Sequence, residues 1–274
     1  MYIEVGIFFA FLIIGLCIGS FLNVVIYRIP ITLFNANEKV FNIAWPPSHC
    51  THCGNNILKR DNIPVISWFI LRGQCRFCGS VISSRYPLIE FITGFVFSFL
   101  GTYMYFFADK NIYVASLTLF LFSVLFCLAV IDFDHLLLPD NLVYITLWGG
   151  VLAAAFELSP ITLKDAVISI CGTWITLNTI LQLFILIRKK EGLGAGDIKL
   201  ICALAAWIGW YHIPVLLVIS SIIGGIMFVK IKRRFDSYYD GGAKSCYVIP
   251  FGPALSLSGF VIYLLIVNGS NIIK

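Results

Sequence analysis

Three groups of residues in this 274-residue chain could do chemistry. The first is Ile131–Asp140, where Asp132, Asp134 and Asp140 follow directly on the uncharged run Ile112–Ile131. The second is Gly194-Ala195-Gly196-Asp197, a carboxylate behind two glycines that remove side chains where backbones or a substrate must come close. The third is a pair of C-x2-C knuckles, Cys50/Cys53 and Cys75/Cys78, separated by 21 residues. Two carboxylates a few ångströms apart do not both ionise readily, so one keeps a proton. The ionised member can then activate a water while the protonated member polarises an amide carbonyl, which is hydrolysis of the aspartic-protease kind. An ionisable group at membrane depth costs about 2.5 kcal/mol or more, so such groups mark function, and an Asp proton or ion site in a transporter fits the same physics. Each segment alone also has a bland reading: carboxylates in a polar loop at a helix end, and Asp197 as a helix N-cap.

Paired knuckles at this spacing point all four sulfurs at one centre, the arrangement of a structural zinc site. His49 and His52 are possible substitute ligands, although the four thiolates suffice. Disulfides are the first alternative, but basic flanks argue for a reducing cytoplasm, where structural disulfides are rare. A redox pair is the second, but redox motifs come singly and in a βαβ context. Cys17, Cys127, Cys171, Cys202 and Cys246 read as small apolar packing residues.

The elements that must position these groups are helices in a bilayer. The chain is 59% hydrophobic and 12% charged, against about a quarter charged in soluble domains. That composition excludes a disordered chain and disfavours a soluble globule. About 20 apolar residues cross the hydrocarbon, and the runs predict eight helices: Val5–Tyr27, Pro87–Phe107, Ile112–Ile131, Asn141–Phe156, Ala166–Ile187, Gly196–Trp210, Val215–Val229 and Val248–Val267. Pro30 is expected to end the first, and Asp140 to cap the fourth. Asn23 should find a partner inside the bundle, and Gly19 and Ser20 should admit a neighbouring helix. The fourth and sixth are too short for a full crossing at 1.5 Å per residue, so their ends start beneath the membrane surface. Val5–Tyr27 lacks a basic segment before it and exceeds a signal-peptide core, so it reads as a retained helix. No strand pattern and no internal repeat stand out.

The net charge of +5 is distributed by side rather than presented to a nucleic acid. Seven of the 19 basic residues lie in Arg28–Arg85, three in Arg188–Lys190 and five in Lys230–Lys244. The positive-inside tendency puts those segments in the cytoplasm and both termini outside. Arg28–Tyr86 is too long for a bare connection, so it is expected to be a small cytoplasmic subdomain folded by its metal.

Taken in order, the motifs resemble the type IV prepilin leader peptidases, bifunctional membrane aspartic proteases of the G-x-G-D kind. The residues that carry the resemblance are Gly19–Arg28, the two knuckles, Asp61–Trp68, Leu71-Arg72-Gly73 and Ser84–Glu90. Asp132–Asp140, Glu191–Lys199 and Pro250–Pro253 complete the set, which covers nearly the whole chain. The resemblance implies that Asp132 and Asp197 are the catalytic pair, a choice between Asp132 and Asp134 that chemistry alone does not make. Two residues apart on a helix, these two face different directions, so only one can point at Asp197.

Asp134, Gly194, Gly196 and Lys199 are then supporting residues, with Lys199 holding a carboxylate or backbone and Asp140 supporting or capping. The resemblance further implies N-methylation of the new amino terminus, with S-adenosyl-L-methionine as donor. The zinc subdomain is associated with that step, and Asp61 and Glu90 are its candidate residues. Their bland alternative is a salt bridge to Arg60 or Arg85. The expected partners are prepilins or pseudopilins with a basic leader and an apolar helix, with Asp61 or Glu38 receiving the leader. The expected division is a first helix at 1–27, the subdomain at 28–86 and a seven-helix protease region at 87–274, in a bacterial inner membrane.

Overall fold

The computed structural model describes residues 2–34, 42–107, 112–189, 194–235 and 250–272. Glu38, the Asp109-Lys110-Asn111 turn, Glu191, Lys244 and Cys246 lie outside them. Among the described residues the chain is helical, with no strand and two isolated β-bridges. Contacts divide it into two compact units, Met1–Leu119 and Phe120–Lys274.

The first unit is built on α1 (Tyr2–Phe34) and α3 (Arg85–Phe107). Helices in lipid associate through close packing and small residues rather than through water exclusion. Gly15 and Gly19 provide that closeness: a Cβ on Gly15 would lie 2.5 Å from Phe97 Cβ, and one on Gly19 would lie 2.7 Å from Glu90 Cα. Asn23, 7% exposed, donates to the Tyr86 carbonyl at 3.1 Å, the partner its polarity requires. Pro30 does not end α1, which runs four residues further to Phe34. Its ring removes one backbone donor, and the Thr32 hydroxyl donates to the Ile29 carbonyl in the weakened turn, the kind of repair that lets membrane helices keep proline.

Between α1 and α3 lies the segment that carries the four cysteines, with a one-turn α2 (Ile66–Ile70). Buried Arg28 ties its beginning to α1 by donating to the carbonyls of Asn42, Ile43 and Pro46 at 3.1, 3.1 and 2.7 Å. The Trp68 indole donates to the Ile82 carbonyl at 3.1 Å, closing its far side.

The second unit begins inside α4 (Ile112–His135) and contains α5 (Asp140–Ala155), α6 (Leu163–Arg188), α7 (Ala195–Ile208), α8 (Ile213–Phe235) and α9 (Gly252–Ile272). α7 is its centre, buried continuously from Leu200 to Ile208 and packed on α5, α6 and α9. The buried Trp207 indole donates to the Thr146 carbonyl at 2.8 Å, a bond worth about 0.6 to 1.7 kcal/mol between membrane helices. The Trp207 ring also stands edge-on to Tyr263 at 5.5 Å.

Among the described residues, six of the eight helices longer than ten residues are long and apolar enough to cross a membrane. The other two are α5, with 16 residues, and α7, with 14. At 1.5 Å per residue they reach about 24 and 21 Å, short of the about 30 Å of hydrocarbon. Both begin at the acidic motifs, α5 at Asp140 and α7 two residues before Asp197.

Candidate active site

α4 runs past Ile131 to His135, so Asp132 and Asp134 lie in its last turn and not in a loop. Leu136 closes the helix with a left-handed φ of 54°, its N–H on the Asp132 carbonyl at 2.9 Å. Helical geometry separates the two carboxylates: Asp132 is 5% exposed and Asp134 is exposed. A carboxylate at a helix C-terminus opposes the dipole of its own helix. Asp132 is compensated by another helix, accepting the N–H of Gly252, the first residue of α9, at 2.7 Å. No side chain larger than hydrogen fits there, because a Cβ on Gly252 would lie 2.8 Å from Asp132 Oδ2. No local pattern in the sequence assigns Gly252 a role. The available signal was a glycine between two prolines at a helix start, Pro250-Phe251-Gly252-Pro253.

Asp197 is the third residue of α7, whose N-cap is Gly194, so it is not itself the cap. Its carboxylate reaches back to the Gly194 N–H, as the third residue of a capping box does. Asp132 and Asp197 lie within electrostatic range of each other. Two further contacts join their segments. A Cβ on Gly196 would sit 3.2 Å from Leu138 Cβ, and Lys199 Nζ binds both oxygens of Asp140 at 2.7 and 2.9 Å. Asp140 is the first residue of α5 and not its N-cap. Pro139, with φ −62° and ψ 125°, occupies the cap, which frees the Asp140 carboxylate for Lys199.

In the first unit, the four sulfurs of Cys50, Cys53, Cys75 and Cys78 lie within 4.8 Å of one another. Cys50 Sγ and Cys78 Sγ are 3.9 Å apart. A tetrahedron with metal–sulfur bonds of about 2.3 Å has edges of about 3.8 Å, so the donor set fits a zinc ion. Each knuckle turns on a glycine. Gly54 (φ 72°) donates to the Cys50 carbonyl and Gly79 (φ 69°) to the Cys75 carbonyl, both at 2.9 Å. Backbone N–H groups of Cys53 and His52, followed by the Ser80 hydroxyl, bring the Cys50 thiol down to about 6. The Ser80 hydroxyl likewise lowers the Cys78 thiol. His49 instead faces the Pro47 carbonyl through Nδ1, at 2.9 Å. Of the remaining cysteines, Cys127 and Cys202 are buried, whereas Cys17 and Cys171 are exposed.

Asp61 forms the salt bridge to an arginine that its bland reading expects, with Arg76, while Arg60 adds only a weaker electrostatic pull. The guanidinium Nε and Nη2 meet its two oxygens at 2.7 and 2.6 Å. That contact holds the Asp61 carboxyl below the usual carboxylate range. Glu90, 9% exposed, accepts the Val65 N–H at 2.7 Å and the Ser20 hydroxyl.

Fold and site together define a polytopic helical membrane protein with an aspartate pair at helix ends and a four-cysteine centre of metal-binding type. Comparison with known proteins takes this further. Residues 13–104 match the bacterial peptidase A24 N-terminal domain, and residues 119–229 match the type IV leader peptidase family. A Stutzerimonas stutzeri protein named prepilin leader peptidase/N-methyltransferase is 37% identical, covering 92% of this chain and 89% of its own. A protein of the same name from Dichelobacter nodosus is 36% identical over 95% and 92% of the two chains. One from Escherichia coli, named type 4 prepilin-like proteins leader peptide-processing enzyme, is 38% identical over 91% of each. No solved structure matches the chain. The chain belongs to the type IV leader peptidase family.

Proposed function

We propose that this protein is a bifunctional prepilin peptidase. It removes the leader of type IV prepilin-like proteins and N-methylates the residue thus exposed. Family membership supports both activities, and the observation that most favours the first is the placement of Asp132 and Asp197 at helix ends within electrostatic range of each other. Such a pair shares one proton. The ionised carboxylate takes a proton from water as the oxygen attacks the scissile carbonyl carbon, and the protonated one donates to the carbonyl oxygen. The tetrahedral species collapses when the leaving amine receives a proton from the pair. Lys199 and Asp140 act as a strap that keeps the start of α7 against the start of α5. Gly194 and Gly196 keep the approach to Asp197 open, and Asp134 has a lesser supporting role.

In the first unit, Cys50, Cys53, Cys75 and Cys78 hold a structural zinc ion that folds the subdomain. The methyl donor, S-adenosyl-L-methionine, supplies an electrophilic methyl group. A cavity of about 520 Å³ in this unit is of a size for such a ligand, within the about 300–1,000 Å³ usual for small-molecule sites. Functionally the chain divides into a first helix (1–27), the zinc subdomain (28–86) and the protease region (87–274). It resides in the bacterial inner membrane with both termini outside and with the subdomain and aspartates on the cytoplasmic side. The substrate presents a basic leader and an apolar helix. Asp61, whose two oxygens already face Arg76, is not free to receive that leader.

Co-expression with a prepilin-type protein, followed by mass spectrometry of the product, tests the reading. A product lacking its leader and 14 Da heavier than the bare mature chain, about the mass of one methylene gained, is the expected result. An uncut product with well-inserted enzyme would refute it. Within the site, Gly252→Ala is expected to lower cleavage by about 10²-fold, because the new methyl group displaces the Asp132 carboxylate by a fraction of an ångström or more. Gly225→Ala is the control, since a Cβ there meets nothing within 4 Å. Equal rates for the two variants would show that Asp132 tolerates displacement.

A further inference from the structure

The cavity of about 520 Å³ lies where the four-cysteine subdomain meets the adjacent ends of α1 and α3. Two carboxylates line it, Asp61 and Glu90, and their surroundings assign them different work. Asp61 is closed off by the bidentate Arg76 contact and belongs to the wall. Glu90 is 9% exposed, and its partners, the Val65 N–H and the Ser20 hydroxyl, are both neutral. A carboxylate offers about four lone-pair sites, and burying one among neutral donors is costly until a cation completes it.

The position of Glu90 is rigidly imposed. The backbones of α1 and α3 come close at Gly19 and Glu90, where no Cβ fits. On the other side, Val65 presents its N–H to Glu90 from a positive-φ conformation, φ 62° and ψ −51°. β-Branched residues rarely adopt that conformation, and strained backbone of this sort gathers at ligand clamps. Glu90 lies in the second turn of a membrane-spanning helix, about 7.5 Å from its start at 1.5 Å per residue. A group entering from the bilayer at the end of an apolar helix therefore arrives at its level, while a water-soluble ligand enters from the subdomain side.

We propose that Glu90 binds the new α-ammonium group of the cut substrate in this cavity and accepts its proton for methyl transfer. The proposal rests on the methyltransferase reading above. An α-amine has a pKa of about 7.7–8.0 and is mostly protonated at neutral pH, so it cannot act as a nucleophile until a base takes its proton. In the step itself, the nitrogen lone pair forms a bond to the methyl carbon. The carbon–sulfur bond breaks with its electron pair on sulfur, which becomes a neutral thioether. The proton lost by nitrogen passes to the Glu90 carboxylate and on to water. The ionisable side chains sharing the cavity walls are Tyr27 and Arg28 of α1, Tyr86 of α3, and His49, Asp61 and Arg76 of the subdomain, besides the ligand cysteines Cys50 and Cys75.

Glu90→Gln and Glu90→Asp test this in purified full-length enzyme, using a substrate already lacking its leader, with equilibrium binding of radiolabelled donor measured alongside. Glu90→Gln is expected to slow methylation at least about 10²-fold and to hold donor affinity within about threefold of the parent. Its residual rate should climb about tenfold per pH unit up to about pH 8, because only the free amine reacts, while the parent is flatter there. Glu90→Asp should recover part of the rate. Methylation by Glu90→Gln within threefold of the parent overturns the role of Glu90. So does a tenfold loss of donor affinity, which would assign Glu90 to the donor. A parent enzyme that cuts but never methylates overturns the methyltransferase reading itself, and the role of Glu90 with it.

Discussion

Asp132→Asn and Asp197→Asn should each slow leader removal by at least about 10³-fold while the helices and the metal content stay unchanged. The amide cannot take up or share the proton that the reaction moves, yet its oxygen can still accept the Gly252 N–H that Asp132 accepts at 2.7 Å. Structure is therefore conserved while chemistry is lost. Because the two carboxylates act as one unit, the double variant should be scarcely slower than either single one. Asp134→Asn, on the exposed side of the same turn, should cost less than about tenfold. Quantitative mass spectrometry of a co-expressed prepilin-type substrate reads all four variants. Full processing by either Asp132→Asn or Asp197→Asn would remove the pair from the mechanism.

Stripping the metal, or replacing Cys50 or Cys78 by Ser, should unfold the segment between α1 and α3. Among its described residues that segment has one five-residue helix, one 3-10 turn and two isolated bridges, too little regular structure to hold itself. Structural zinc contributes about 10–16 kcal/mol in small metal-folded peptides, as much as the whole stability of a typical domain. Metal analysis should find one zinc per chain. Limited proteolysis should become at least tenfold faster between Asn42 and Ser84 once a chelator has removed it. Methylation should fall with the subdomain, whose residues line the cavity that holds Glu90. An apo-protein that resists proteolysis like the metal-loaded one would show that the four thiols are not structural.

The same local rules that made the elements legible also mark where they gave way. By local rules Pro30 ends a helix and Asp140 caps one, but those rules act on the neighbouring turn alone and are weak beside the demands of packing. α1 continues through Pro30 to Phe34, where buried Arg28 holds the following segment. Asp140 yields the cap to Pro139 and binds Lys199, 59 positions away. Asp132 breaks a local rule outright, as an acid in the last turn of a helix. Such a conflict persists where function or a distant partner compensates it, and here the partner is the N-terminus of α9.

By itself the sequence determined the membrane class, the helices and their approximate ends, the short fourth and sixth helices, and the four-sulfur centre. All of these follow from interactions within a few turns: the length of an apolar run, or the two-residue gap that aims two sulfurs at one point. Motif resemblance supplied the choice of Asp132. Only the tertiary structure decided what surrounds it. The Gly252 N–H lies 120 residues away, and no periodicity encodes a contact made across a helix bundle. Likewise Glu90 and Asp61, equal as acids in the sequence, are told apart only by the fold, where Asp61 pairs with Arg76 and Glu90 sits beside Gly19 and accepts the Val65 N–H. Contacts of that kind depend on which helices pack together and at what register, and that is a property of the assembled bundle.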